Sequence, residues 1–372
     1  MTVDIDWLAL SLVPGIGARI FHRLLQRFES PGQVFSVSRS ELDEVPGLKK
    51  ASIDAIRSSQ PKETAEKEMI RLRSLGICII RWGTDEYPYY LANIADPPAL
   101  LYVKGTLLPA DERAVAVVGS RQASGYGLTV CKQICRELAW QGWTVVSGMA
   151  RGIDSAAHSG ALEGEGRTLA VFGTGLDVVY PNENRQLSEK ISSSGAIISE
   201  FPLGTAPEPG NFPVRNRIIS GLSLGVVVVE ATSKSGSLIT ARMALEQDRQ
   251  VFAVPGAVGR EGVEGPHRLI KEGARLVENA GDIVEELIPM VSGKPHVEQE
   301  GKSPFSFPPL PDLSEKEQRL WDTLGMDPVH IDVISRQLRL SIAEAAELLL
   351  RLEMKGIVKQ LPGTFFVRDF AG

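Results

Sequence analysis

The sequence predicts an α/β chain. Its centre is a doubly wound, mainly parallel sheet, with a small helical region before it and a helices-then-hairpin region after it. Three observations lead there. Between residues 114 and 288, six short apolar runs alternate with amphipathic helical stretches. The first 60 residues carry a repeated Pro-Gly turn between helical segments. The end of the chain reads as helices followed by two strand-like runs around Pro-Gly. With 372 residues, of which 43% are apolar, the chain is long enough for two or three domains with a sizeable core.

The repeat near the start is "LSLVPGIGARIFHRLL" (10–25) and "LDEVPGLKKASIDAI" (42–56), sharing L-x-x-V-P-G-[IL] before a helix. Pro-Gly forces a tight turn, so residues 1–75 are expected to form a helical, helix-hairpin-helix-like domain. The second copy lacks the second glycine of the first. Such turns expose N–H groups at a helix start, where a phosphate can dock. A plain helical packing module explains the repeat as well, since only Arg19 stands near the first turn.

A helix over about 62–75 leads to the strand "ICIIRW", and a second strand follows "YPYYLANIADPP". The apolar runs are then "AVAVV" (114–118), "TVVS" (144–147), "TLAVFG" (168–173), "AIISE" (196–200), "VVVVE" (226–230) and "VFAV" (251–254). Near-continuous Val, Ile and Ala runs suit strands covered on both faces. With helices between them they predict a Rossmann-like domain over 76–288. Residues 289–312 are rich in proline and polar side chains and read as a linker. Residues 313–372 are expected to form a winged-helix-like domain. Its candidate reading helix, near "HIDVISRQLRLSIAEAAELLLRLEMKG", carries Arg336 and Arg339 but also Glu344 and Glu347. That charge pattern suits protein contacts at least as well as duplex DNA.

In such a sheet, ligands bind beyond the C-terminal strand ends, and the unusual residues stand there. After the first run come Gly119, Ser120 and Arg121. After the second come Ser147, Gly148, Arg151 and Gly152, with Asp154 as a candidate N-cap and His158 as a packed side chain. After the third come Gly173, Gly175, Asp177, Tyr180 as a stacking face or core tyrosine, Asn182 and Arg185. After the fourth, a proline-stiffened loop delivers Arg215, Asn216 and Arg217 to a helix start. In one reading both arginines reach a phosphate; in another, Arg217 pairs with an acid such as Glu200. After the fifth come Lys234 and the Ser235-Gly236-Ser237 turn, a ready anion nest.

Net charge is −6, and residues 114–288 hold 16 Lys/Arg against 19 Asp/Glu, which excludes a uniformly basic nucleic-acid coat. Yet six basic residues sit in the strand-end loops: Arg121, Arg151, Arg185, Arg215, Arg217 and Lys234. Several separated anion sites along one crevice fit a single-stranded nucleic acid better than one cofactor. There is no GxGxxG or GxxxxGK[ST], so no cofactor is expected. The three cysteines form neither a disulfide framework nor a zinc signature, and Cys131 and Cys135 read as buried thiols on one helix face. No metal site is expected. No signal-peptide pattern and no apolar run of membrane-spanning length appear, so a cytoplasmic protein is expected.

Five stretches in order resemble the DNA-processing protein A family, also called Smf: "VAVVGSRQASGYG", "VSGMARGIDSAAHSGAL", "GTGLDVVYPNEN", "FPVRNRIISGLS" and "EATSKSGSLITARMALEQ" with "VFAVPG". They span roughly 95–288. The resemblance implies a protein that binds single-stranded DNA, protects incoming DNA in natural transformation and loads a RecA-type recombinase onto it. It implies a homodimer through the Rossmann-like domain and a phosphate contact by Arg121. Many members carry a lysine or arginine directly after Tyr-Pro. Here that position is Asn182, with Arg185 the nearest substitute.

Two other readings compete. A nucleotide-hydrolysing enzyme of the phosphoribohydrolase type would need a carboxylate poised against a ribose, and Glu200 and Glu230 stand at strand ends. No nucleophile elbow, Cys/His pair or other catalytic constellation accompanies them, so no enzyme is expected. A scaffold that binds no DNA would use the basic loops for oligomer contacts.

Overall fold

The computed structural model describes residues 5–292, 313–324, 329–338, 340–355, 358–361 and 363–368. Most of the expected linker, 293–312, lies outside the described residues, as does Arg339. The chain divides into two compact units, Met1–Pro295 and His296–Gly372.

The first unit holds nine strands: β1 (Ile77–Arg81), β2 (Leu100–Gly105), β3 (Ala114–Val118), β4 (Thr144–Ser147), β5 (Thr168–Val171), β6 (Ala196–Ser199), β7 (Gly225–Val228), β8 (Gln250–Ala253) and β9 (Arg275–Leu276). Their order is β1-β2-β6-β5-β4-β3-β7-β8-β9. The six predicted runs are β3 to β8, all parallel. β1 and β2 form an antiparallel hairpin that joins the sheet antiparallel to β6. The two-residue β9 is too short to leave a periodic trace in the sequence.

Side chains on β3 alternate between two layers. Val115 and Val117 pack with Cys131, Cys135 and Ala157 from helices Gly125–Trp140 and Ile153–Glu163. Ala114, Ala116 and Val118 pack with Ile218, Ile219 and Ala241 from helices Asn211–Gly221 and Gly236–Glu246. All five residues of β3 are buried, as a continuous apolar run requires when both faces are covered. The chain runs outward from β3 through β4, β5 and β6, then returns to β7 on the other side of β3. The crevice at the C-terminal ends of β3 and β7 is therefore the point where strand order reverses.

The Pro-Gly repeat folds as two helical hairpins, Ile5–Ser11 with Ala18–Phe28, and Arg39–Asp43 with Lys50–Ile56. Gly15 and Gly47 take φ of +84° and +82°, a conformation that favours glycine. Each turn is held by the other copy. Ser52 Oγ donates to Pro14 O at 2.8 Å, and Arg23 Nη1 donates to Pro46 O at 2.9 Å. Trp7, Phe21 and Leu72 share one hydrophobic cluster with Tyr102, Ala170 and Leu203, so residues on both sides of position 75 belong to one compact unit.

The second unit is a winged helix. Helices Glu315–Thr323, Ile331–Leu338 and Ile342–Met354 pack through Leu320, Ile334 and Leu349 onto a sheet of β10 (Val329–His330), β11 (Val358–Leu361) and β12 (Phe365–Arg368). The stretch expected as one reading helix is two helices: Arg336 stands on the first, Glu344 and Glu347 on the second. Ser341 at the N-cap explains the break, in a capping box with Glu344.

Candidate nucleic-acid interface

The strand-end loops form the rim of the crevice, and their glycines are explained first by how tightly the loops pack on each other. A Cβ on Gly148 would overlap the Arg215 guanidinium, and one on Gly152 would overlap the carbonyls of Ser120 and Arg121. A Cβ on Gly119 would meet Ile153, and one on Gly173 would stand 3.0 Å from the Phe212 ring. On Gly175 it would stand 2.6 Å from Pro202 O. At five positions neighbouring protein atoms fill the space a side chain would take, so packing by itself accounts for glycine there. Gly236 alone of the candidate glycines has nothing near its missing Cβ.

The six candidate cations divide into two groups. Arg121, Arg151, Arg185 and Lys234 are exposed. They follow β3, β4, β5 and β7, which are neighbours in the order β5-β4-β3-β7. Arg151 pairs with Glu183, and that pair holds the Glu183 carboxyl below its ordinary value. Asn182 is exposed beside it. Lys234 flanks a nest in which Ser235 Oγ accepts from Ser237 N. Ser120 is half-buried and accepts from Gln122 N at 3.1 Å, whereas Ser147 is fully buried, its Oγ donating to Val117 O at 2.6 Å.

Arg215 and Arg217 are the second group, and they correct the expectation of a loop aiming cations outward. The helix begins at Asn211, so both arginines lie inside it. Arg215, Ile218, Ile219 and Leu222 occupy one buried face at i, i+3, i+4 and i+7. Arg215 is 4% exposed and donates through Nη1 to Gly148 O at 2.6 Å and to Val171 O. Burial lowers its pKa to about 10, against the pull of Asp154. Arg217 is 7% exposed and donates to Glu200 Oε2 at 2.5 Å, with Asp96 at 3.5 Å. Asn216 between them is half-buried.

Asp154 is not the N-cap; Gly152 is, and Asp154 lies one residue inside the helix, accepting from Ala150 N at 3.2 Å. Burial raises its pKa, while Arg215 and Arg121 act the other way. His158 is buried against Thr168 at 2.7 Å, and burial pushes its pKa down to about 3.

Sequence reasoning passed over Phe212. Its ring lies over Gly173, 5.7 Å from the Tyr180 ring, and the Arg121 guanidinium stands 5.4 Å from its centroid. Tyr180 is 46% exposed and Phe212 half-buried. Two aromatic faces beside an exposed arginine make a platform on which a flat, apolar-faced group can stack with an anion alongside. A signal existed: Phe212 precedes the two arginines in the same motif. Asn184 was also missed. It ties two loops together, donating to Met149 O at 2.8 Å and Ser155 Oγ at 2.9 Å.

The strand-end carboxylates are engaged within the protein. Glu230 accepts from Ser124 N at 2.8 Å and Ser124 Oγ at 2.5 Å, at the start of helix Gly125–Trp140, and Glu200 holds Arg217. Among the described residues no helix is long and apolar enough to cross a membrane.

Residues 78–288 match the family described as DNA recombination-mediator protein A, and residues 304–364 match the DprA winged helix domain. The chain is 40% identical over 308 residues to Protein Smf of Escherichia coli K12, covering 82% of each chain. The X-ray structure of DNA processing protein A from Streptococcus pneumoniae superposes with a TM-score of 0.66 at 35% identity, covering 77% of this chain and 99% of that one. DNA processing protein A from Helicobacter pylori, whose structure describes a single-stranded DNA binding mode, superposes with a TM-score of 0.52 at 29% identity, covering 57% and 96%.

Proposed function

Because this chain belongs to the DNA recombination-mediator protein A family of DNA-processing proteins, we propose that it binds single-stranded DNA along the strand-end crevice. The observation that carries the reading is exposed Arg121 beside the Tyr180–Phe212 platform, with Arg151, Arg185 and Lys234 exposed in the segments that follow neighbouring strands. The cations take successive phosphates, and the Gly236 N–H in the Ser235–Ser237 turn offers a donor to one more. A base stacks at Phe212 or Tyr180, which needs a strand free of its complement and so sets single strands above duplex. The likeness to the Helicobacter pylori protein supports this reading, since that protein binds single-stranded DNA.

Within that reading the protein acts in the cytoplasm as a homodimer through the Rossmann-like domain. It protects incoming DNA and passes it to a RecA-type recombinase. These steps rest on the family resemblance. The carboxylates that a nucleotide-cleaving alternative would use are bonded internally, which favours binding over catalysis.

Titration of labelled oligothymidine, single and double stranded, at two salt concentrations tests the proposal. Tighter binding of the single strand, weakened by salt, is expected. Equal affinity for both forms, or binding indifferent to salt, contradicts it.

A further inference from the structure

The N-terminal helix Gln60–Ser74 reaches the crevice from outside it. Its Glu68, 6% exposed, accepts from Leu203 N at 2.7 Å. Its Arg71 donates to Asp177 Oδ2 at 3.0 Å and stands 3.5 Å from Glu68 Oε2. Asp177 Oδ1 accepts from Gly204 N at 2.8 Å. Two consecutive N–H groups of one turn are therefore each held by a carboxylate, and one guanidinium bridges the two carboxylates. Without it the two anions repel, one of them buried.

The turn in question belongs to the loop between β6 and helix Asn211–Gly221, whose second residue is Phe212. Gly204 takes φ of +80°, and Thr205 N bonds Pro202 O at 3.3 Å. Thr205 O accepts from Gly175 N at 3.1 Å. Gly175 lies five residues before Tyr180, and Asp177 lies between them. The clamp therefore joins the two loops that supply the two aromatic faces.

We propose that Glu68 and Arg71 of the N-terminal helix, with Asp177, are positioning residues for nucleic-acid binding. They touch no phosphate and fix the separation of Tyr180 and Phe212. This rests on the single-strand reading above. It gives the N-terminal helical region a role in the crevice through its bonds to the loops that follow β5 and β6.

The test compares wild type with Arg71→Ala, Arg71→Lys and Glu68→Gln. Affinity for oligothymidine is measured at two salt concentrations. Stacking is read from the fluorescence of a 2-aminopurine placed in the oligonucleotide. Hydrogen exchange over residues 200–212 is followed in the free protein. Arg71→Ala is expected to bind ~10-fold more weakly, a loss of about 1.4 kcal/mol, with an unchanged salt slope. It is also expected to lose the stacking signal and to exchange faster in that loop, and Arg71→Lys to recover most of each. Arg71→Ala that binds and stacks like wild type overturns the clamp alone. So does a variant whose only change is lower thermal stability. Wild type that binds no oligonucleotide overturns the single-strand reading and the clamp together.

Discussion

Arg121 and Arg215 are both arginines near strand ends, and opposite outcomes are expected when each is removed. Arg121 is exposed and makes no ion pair among the described residues. A charge-assisted contact contributes about 1.5–3 kcal/mol, so Arg121→Ala should weaken oligothymidine binding ~10-fold or more at unchanged thermal stability. Arg215 satisfies two buried carbonyls and faces buried Asp154. Arg215→Ala should cost about 3–5 kcal/mol of stability, seen in urea unfolding, with weaker DNA binding only as a consequence. His158 adds a pH dependence. Its folded pKa of about 3 lies below the ordinary 6.5, so the unfolded chain binds its proton first. Stability from this residue is full above pH 6.5 and falls as pH drops toward 3. Between pH 7 and pH 5, wild type should lose about 2 kcal/mol more than His158→Gln. The sequence displayed both arginines without distinguishing them. The apolar spacing of Ile218, Ile219 and Leu222 already placed Arg215 on their helical face; a helix start set too late hid it.

Elements carry the next lesson, through the glycines of the loops. A Gly-rich strand end is commonly read as room for a phosphate, and five of these six glycines also make room for a neighbouring loop or helix start. Gly148→Ala pushes a methyl group into the Arg215 guanidinium, and such overpacking costs about 1–3 kcal/mol. Chemical denaturation should show that loss, and a variant as stable as wild type would mean that the loop relaxes freely. The six parallel strands were legible because burial on both faces leaves an unbroken apolar run. The Pro-Gly repeat was legible too, but not the bonds from Ser52 and Arg23 by which each hairpin holds the other's turn. Contacts between segments over 20 residues apart leave no period in a sequence. Phe212 escaped for the same reason: an aromatic residue becomes a platform only when Tyr180 and Arg121 arrive beside it.

Taken whole, the molecule is an acidic protein with a basic edge, and its net charge of −6 says little about the site. Four exposed cations, at about 0.7 released ions each, set a slope of roughly −3 for log K against log salt. A slope near zero would assign the basic edge to protein contacts instead. Adding Arg215 and Arg217, as the sequence alone invited, would steepen the slope to about −4; titration at several salt concentrations separates the two. The winged unit has its own core and places Glu344 and Glu347 on its last helix, so it adds no basic row of its own there.

Phe212 and Arg215 stand less than one helical turn apart. A ring on a free loop would swing to suit whatever reached it. The backbone that carries this ring shifts only if the start of the helix shifts, and Arg215, bonded to two backbone oxygens one turn on, resists that. Grip and fold share a single lever, so any heritable change that retunes the one is filtered by its toll on the other.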